Sequence, residues 1–307
     1  MAATMLQTLL RAALSGGYAV GYFEGWDQYS VEAVLEAAEE KRSPVIIGVG
    51  GVIEQSWFDR TGLEVGAGIV RVLAGTARIP VATLLNEAKT YRQIVRGIQL
   101  GFDGVMIDTQ GLPYEENVVL TRRVVDAAHA AGIFVEGELG GLPEPGPDGV
   151  IREEMSHPTD PAEAARFVAE TGVDALSVAI GNVHGLVGGE AGGVDLDRLA
   201  RIREVVRVPL VIHGGSGFPP SLVSQAVSLG VAKFNVGGIL RRSFLTALGE
   251  AIESHDRTLR AVDVIGSRLP VDVLMAGKAA MRATVANLMD VYGSAGRANQ
   301  VEARPGS

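Results

Sequence analysis

The sequence predicts a (β/α)8 barrel, and three observations carry that reading. Short apolar, β-branched runs alternate with longer amphipathic stretches from one end of the chain to the other. Eight such runs can be counted. Several amphipathic stretches also end in the same device, Ala131-Gly-Ile, Thr171-Gly-Val and Leu229-Gly-Val, where Gly supplies a left-handed cap and the β-branched residue opens the next strand. Strands that alternate with helices form a parallel sheet, and eight of them over this length close into a barrel.

The eight expected strands are 18–23, 44–49, 80–86, 104–108, 134–139, 175–181, 209–214 and 233–237. Most are short runs rich in apolar and β-branched residues, and several carry a polar residue at or near the C-terminal end. Helical spacing marks 31–41, 117–131, 196–206 and 219–230 between them, and Thr159-Asp-Pro-Ala-Glu reads as a cap followed by Pro in the first turn. The longest irregular piece, 140–158, is rich in Gly, Pro and Glu and follows the fifth strand; it reads equally as a mobile lid or as a plain surface loop. Beyond the eighth strand the chain continues helically, with a long helix at 276–292. The expectation is one barrel domain over 1–307, with 255–307 a helical extension at the interface of a homodimer or homotetramer.

Bulk properties narrow the function classes. A net charge of −9 argues against non-specific nucleic-acid or membrane-surface binding, both of which need clustered Lys and Arg. No apolar run approaches the roughly 20 residues of a membrane span. The first residues lack the basic region and cleavage pattern of a secretory signal. Zero cysteines remove disulfides and thiolate chemistry. A cytoplasmic protein acting on a small molecule is expected.

Strand C-termini line the active face of such barrels. Those positions carry Glu24, Asn86, Glu87, Asp108, Glu136, Glu138, His184, His213 and Asn235. His213 ends the seventh strand and is followed by Gly214-Gly-Ser-Gly217, a loop whose backbone N–H groups can turn inward on an anion. His184 ends the sixth. Adjacent strands bring both imidazoles to one face, and two His with one carboxylate form a three-ligand site for a divalent metal with positions left for substrate.

With these residues in view, the chain resembles the class II, metal-dependent fructose-bisphosphate and tagatose-bisphosphate aldolases, from about Leu6 to Gly296. The passages that carry the resemblance are Leu112-Pro-Tyr-Glu-Glu-Asn, Val135-Glu-Gly-Glu-Leu-Gly140, Ala179-Ile-Gly-Asn-Val-His-Gly185, His213-Gly-Gly-Ser-Gly217 and Lys233-Phe-Asn-Val236. The resemblance implies a metal, usually zinc, that polarises a ketone and stabilises an enediolate. It implies His184 and His213 as ligands, Gly214, Gly215, Ser216 and Gly217 as a phosphate cradle, and Asn235, with Gly237 beyond it, at the substrate. Glu138 matches a carboxylate near the metal pocket.

The departures cluster in the site. Where the family has His-Leu-Asp-His-Gly, this chain reads Leu84-Leu-Asn-Glu-Ala88. The acid/base Asp becomes Asn86, and an amide accepts no proton near neutral pH. The third His ligand becomes Glu87, which either ligates through oxygen, a harder set that admits Mn2+ or Fe2+ besides Zn2+, or carries the proton itself. Gly188 stands in place of a Lys near the phosphate, and Asn235-Val-Gly-Gly-Ile239 lacks the family's phosphate-binding Thr. Glu24 stands where the first strand usually has Asn. The leading expectation is an aldolase-type lyase on a ketose, phosphorylated or not, or a related polyol carbonyl compound. In it Asn86, Glu87, Glu138 and Asn235 serve catalysis, with Glu24, Asp108 or Glu138 replacing the missing base. The alternatives are an isomerase or epimerase on the same barrel, and a non-catalytic partner protein.

Overall fold

A computed structural model describes residues 4–50, 53–143, 157–183 and 193–301. Within them eight parallel strands close in sequence order, β1-β2-β3-β4-β5-β6-β7-β8. They are β1 Val20–Glu24, β2 Val45–Gly50, β3 Val81–Ala88, β4 Gly104–Ile107, β5 Phe134–Leu139, β6 Ala175–Val178, β7 Leu210–Ile212 and β8 Val231–Val236. The helices in chain order are α1 Met5–Gly16, α2 Gln28–Lys41, α3 Gln55–Trp57, α4 Leu63–Ala74, α5 Tyr91–Leu100 and α6 Tyr114–Ala130. They continue with α7 Pro161–Thr171, α8 Leu196–Val205, α9 Pro220–Ser228, α10 Gly238–Ser254, α11 Ala261–Val264 and α12 Val273–Val291. The predicted barrel stands. Its strands shift from the expected bounds by a residue or two, and by three where the sixth strand stops at Val178.

The alternation of a strand sorts the interior into layers. Val20, Ile46, Ala82, Phe134, Ala175 and Val211 close the N-terminal end, and α1 packs across them through Leu6, Leu9 and Leu10, all fully buried. Gly104 is required there, because a Cβ on it would stand 2.4 Å from Leu6 Cδ2. Tyr22, Met106, Glu136, Ser177 and Lys233 form the middle of the interior, and Glu24, Asn86, Glu138, His213 and Asn235 its C-terminal mouth. Outward-facing residues such as Phe23, Ile47, Leu85, Val105 and Leu176 meet the helices in the second core.

The tail folds back on its own barrel. α12 lies against α2 and α10, and Lys278 Nζ reaches Glu32 at 2.9 Å and Glu36 at 2.6 Å while Arg268 Nη2 reaches Glu32 at 2.8 Å. The two ends of the irregular piece 140–158 are clamped by an antiparallel bridge between Gly141 and His157, and most of what lies between is outside the described residues.

Partial burial pushes the Glu32 carboxyl up, but its hydrogen bonds from Arg268 and Lys278 prevail and hold it down at about 2 against an ordinary 4.5. A depressed carboxyl contributes stability above its unfolded pKa and loses it as pH falls toward the folded one. The urea midpoint of Glu32→Gln should therefore lie below that of the parent at neutral pH, and the gap should close between pH 4.5 and about 2.

Candidate active site

The seventh strand delivers His213 into the mouth of the barrel, where its ring is 1% exposed. Both ring nitrogens meet carboxylates. Nε2 is 2.9 Å from Glu136 Oε1, Nδ1 is 3.1 Å from Glu87 Oε1, and Glu138 Oε1 lies 3.8 Å from Nδ1. Burial alone would lower the pKa of this imidazole, but its hydrogen bonds to the Glu136 and Glu87 carboxylates overcome it and raise it to about 10. Asn182 fixes the strand end by donating to the His213 carbonyl at 2.8 Å.

Glu136 is the deeper anchor. It is fully buried, and its second oxygen accepts from Lys233 Nζ at 2.7 Å. Burial pushes the Glu136 carboxyl up, yet the Lys233 ammonium and His213 bring it below its ordinary value. Burial likewise pulls the Lys233 ammonium down, against the opposing pull of Glu136. Lys233 Nζ also stands 5.1 Å above the Tyr22 ring.

Glu87 reaches the site through an irregularity. The β3–β4 register shifts between Leu85 and Ala88, and Glu87 has φ 50°, in the left-handed region that costs a non-Gly residue about 1–3 kcal/mol. A bulge of this kind re-aims a side chain. Successive residues of a strand face opposite ways, but here both Asn86 and Glu87 reach the mouth.

Asn86 Oδ1 accepts from Asn235 Nδ2 at 3.2 Å, and that nitrogen also lies 2.9 Å from His213 Nε2. Asn235 Oδ1 is buried with no hydrogen-bond partner among the described residues. Amide orientation follows from the hydrogen-bond network, and the oxygen is the end of this amide left without a partner among the described residues.

Of the predicted residues, the fold brings together Asn86, Glu87, Glu138, His213 and Asn235. His184 lies outside the described residues. Among the described residues no group of three His, Cys, Asp or Glu is arranged to hold a metal ion, but two predicted ligands, Glu87 and His213, are in contact. Their oxygen and nitrogen donors suit zinc, manganese or iron, and the carboxylates around His213 supply the negative charge that a divalent cation requires. The donor chemistry fits, with Glu87, His213 and His184 as the residues that would hold the ion.

The Gly214–Gly217 loop departs from expectation in part. Gly214 has φ 70°, which demands glycine. The Gly215 N–H donates to Asn235 O at 2.8 Å and the Gly217 N–H to Gly214 O at 3.1 Å. Those two amides are spent on the chain itself. Ser216 Oγ accepts from the Ile239 N–H at 3.2 Å, tying the loop to the start of α10. Of the candidate bases, Glu24 is ion-paired with Arg241 and Asp108 with Lys89. The sequence places Glu136 at a strand end and Lys233 at the start of the eighth strand, and assigns neither a role in the site. The signal was the two-residue spacing, which puts Glu136 on the face of Glu138 and Lys233 on the face of Asn235.

A closed parallel barrel with carboxylates, amides and an imidazole at its C-terminal mouth defines a barrel enzyme of small-molecule chemistry. The family model for fructose-bisphosphate aldolase class-II matches residues 4–297, so the chain belongs to the class II fructose-bisphosphate aldolase family, a family of lyases. It is 35% identical over 303 residues to the fructose-bisphosphate aldolase of Geobacillus stearothermophilus, covering 98% of this chain and 100% of that one. It is also 35% identical to the Thermus caldophilus fructose-bisphosphate aldolase, covering 94% of this chain and 98% of the other. The crystal structure of the YdjI aldolase from Escherichia coli K12 superimposes with a TM-score of 0.78 at 30% identity, over 97% of this chain and 100% of that one.

Removing one partner of a buried ion pair strands the other charge and costs about 3–5 kcal/mol. Lys233→Met should lower the unfolding free energy by that amount in a denaturant titration. A loss below about 1 kcal/mol would show that Glu136 does not depend on it.

Proposed function

We propose that this chain is a metal-dependent aldolase-type lyase that cleaves or forms the C–C bond between the carbons α and β to the carbonyl of a ketose or related polyol carbonyl compound. The observation that carries the reading is the meeting of Glu87 with His213 Nδ1 beside Asn235, whose amide oxygen is buried without a hydrogen-bond partner among the described residues. Glu87, His213 and His184 would hold a divalent metal, which would supply Lewis-acid polarisation of the substrate carbonyl. Asn235 binds a substrate hydroxyl, and Asn86 holds the Asn235 amide in place. Asn86 moves no proton. Glu138, buried beside His213, is the carboxylate placed to take the hydroxyl proton that the family's Asp would take. Glu136 and Lys233 keep the His213 ring oriented from below.

Metal binding and turnover test this separately. Glu87→Ala should weaken zinc binding in calorimetry by at least about tenfold, as removal of even an outer-shell partner does. Asn235→Ala should leave zinc binding unchanged and lower kcat for cleavage of a ketose, followed by trapping the aldehyde product. An unchanged kcat would refute the role given to Asn235.

One observation favours a second reading. Because Asn86 is engaged as an acceptor by Asn235, the same site also suits an isomerase or epimerase that shuffles a proton without cleavage. Deuterium uptake from solvent next to the carbonyl, with no aldehyde formed, would select it.

Self-association through the tail belongs to the same proposal. Leu245, Ile252, Val262, Ile265 and Leu269 are exposed along α10, α11 and the segment after it, and a second copy of the chain would cover them as a homodimer or homotetramer. Light scattering should report a dimer or tetramer that Val262→Glu weakens. Among the described residues no helix is long and apolar enough to cross a membrane. A cytoplasmic sugar-converting enzyme remains the proposed setting.

A further inference from the structure

Glu24 occupies an unusual place for a carboxylate. It ends β1 in the barrel mouth, is 9% exposed, and its Oε2 is ion-paired with Arg241 of α10. That oxygen would stand 2.5 Å from a Cβ on Gly237, the residue that opens α10, so only glycine lets the carboxylate approach so close. Arg241 also stacks over Trp26 with its guanidinium 4.9 Å from the ring centroid, and its side chain stays partly exposed. Gly237 has no side-chain cap to offer the first turn of α10. A helix N-terminus attracts negative charge, and here the protein's own carboxylate sits against it.

The neighbouring glycine loop tells the same story by different means. Gly215 and Gly217 have turned their N–H groups onto Asn235 O and Gly214 O, and Ser216 Oγ has taken the Ile239 N–H. The donors that an incoming anion would use are therefore partly consumed, and Arg241, a cation of the first turn of α10, is already paired with Glu24.

We propose that Glu24 is a specificity-determining residue: a built-in anion that occupies the charge-binding end of this site, so that the substrate presents a neutral, hydroxyl-bearing end there and not a phosphate. The inference rests on the lyase reading for its substrate class, since it selects the unphosphorylated ketose over its phosphate ester. Its core, that Glu24 excludes an anion from the loop and the start of α10, is independent of any turnover. A phosphate placed there would meet Glu24 as a like charge in a water-poor mouth, where repulsion is strong. Removing the carboxylate would leave Arg241 able to pair with phosphate instead.

Inorganic phosphate is the probe. Its binding to the full chain is measured by calorimetry for the parent, Glu24→Gln, and Glu24→Gln combined with Arg241→Gln. The expected result is weak binding by the parent, at least a tenfold gain in Glu24→Gln, and loss of that gain in the double variant. The circular dichroism melt of each variant checks folding, and Glu24→Asn serves as the second variant if Glu24→Gln does not fold. Tight binding of phosphate by the parent, or an unchanged affinity in Glu24→Gln or Glu24→Asn, overturns the proposal. A parallel assay compares cleavage of a ketose and of its phosphate ester by the parent. Preference for the ester overturns the proposal. Cleavage of neither, with the binding results as expected, defeats the lyase reading and leaves the exclusion of phosphate by Glu24 standing.

Discussion

The carboxylate of Glu136, buried inside a barrel between the Lys233 ammonium and the His213 imidazole, is the constraint on which the site depends. Alone, an ionised group at that depth would be prohibitively costly. Lys233 neutralises it from β8 and His213 hydrogen-bonds it from the end of β7, so three strands are tied by one carboxylate. The pairing fixes the His213 ring plane, and the ring in turn determines where Glu87, Glu138 and Asn235 converge. Buried polar clusters of this kind are costly when half satisfied and specifying when complete. The mouth is polar, but its geometry is set one layer below, where no solvent reaches.

The same division explains what could be read from the amino-acid order. Strands such as Val45–Gly50 were legible because burial on both faces leaves a distinctive run of apolar and small residues, and the Gly caps punctuate the chain. The Gly caps proved sound at Gly172, whose φ of 74° ends α7. At Gly132, φ is 72°, one residue past the Ala131 that caps α6. By contrast, α1 was read only as lacking a secretory pattern. Its role arises from what Leu6, Leu9 and Leu10 meet on the far side of the barrel, which is a property of closure and not of local spacing.

In the site, type and face were legible while partnership was not. Asn86 and Glu87 stood out because they replace residues that the related aldolases use. Nothing in the order of residues announces that a register shift and a positive φ bring both into one cavity. The glycine loop was likewise recognisable, yet two of its amides were already committed to neighbouring carbonyls. Hydrogen-bond direction depends on the third dimension in a way that side-chain chemistry does not.

The closure of the barrel floor by α1 has a kinetic corollary. With Leu6 wedged against Gly104 and the N-terminal layer packed shut, traffic passes through the same end that holds the reacting groups. For the lyase proposed above, the uncleaved molecule and both of its pieces would share that single opening. The helix that precedes the first strand, far from the site residues, thus leaves the C-terminal mouth as the end through which small molecules come and go.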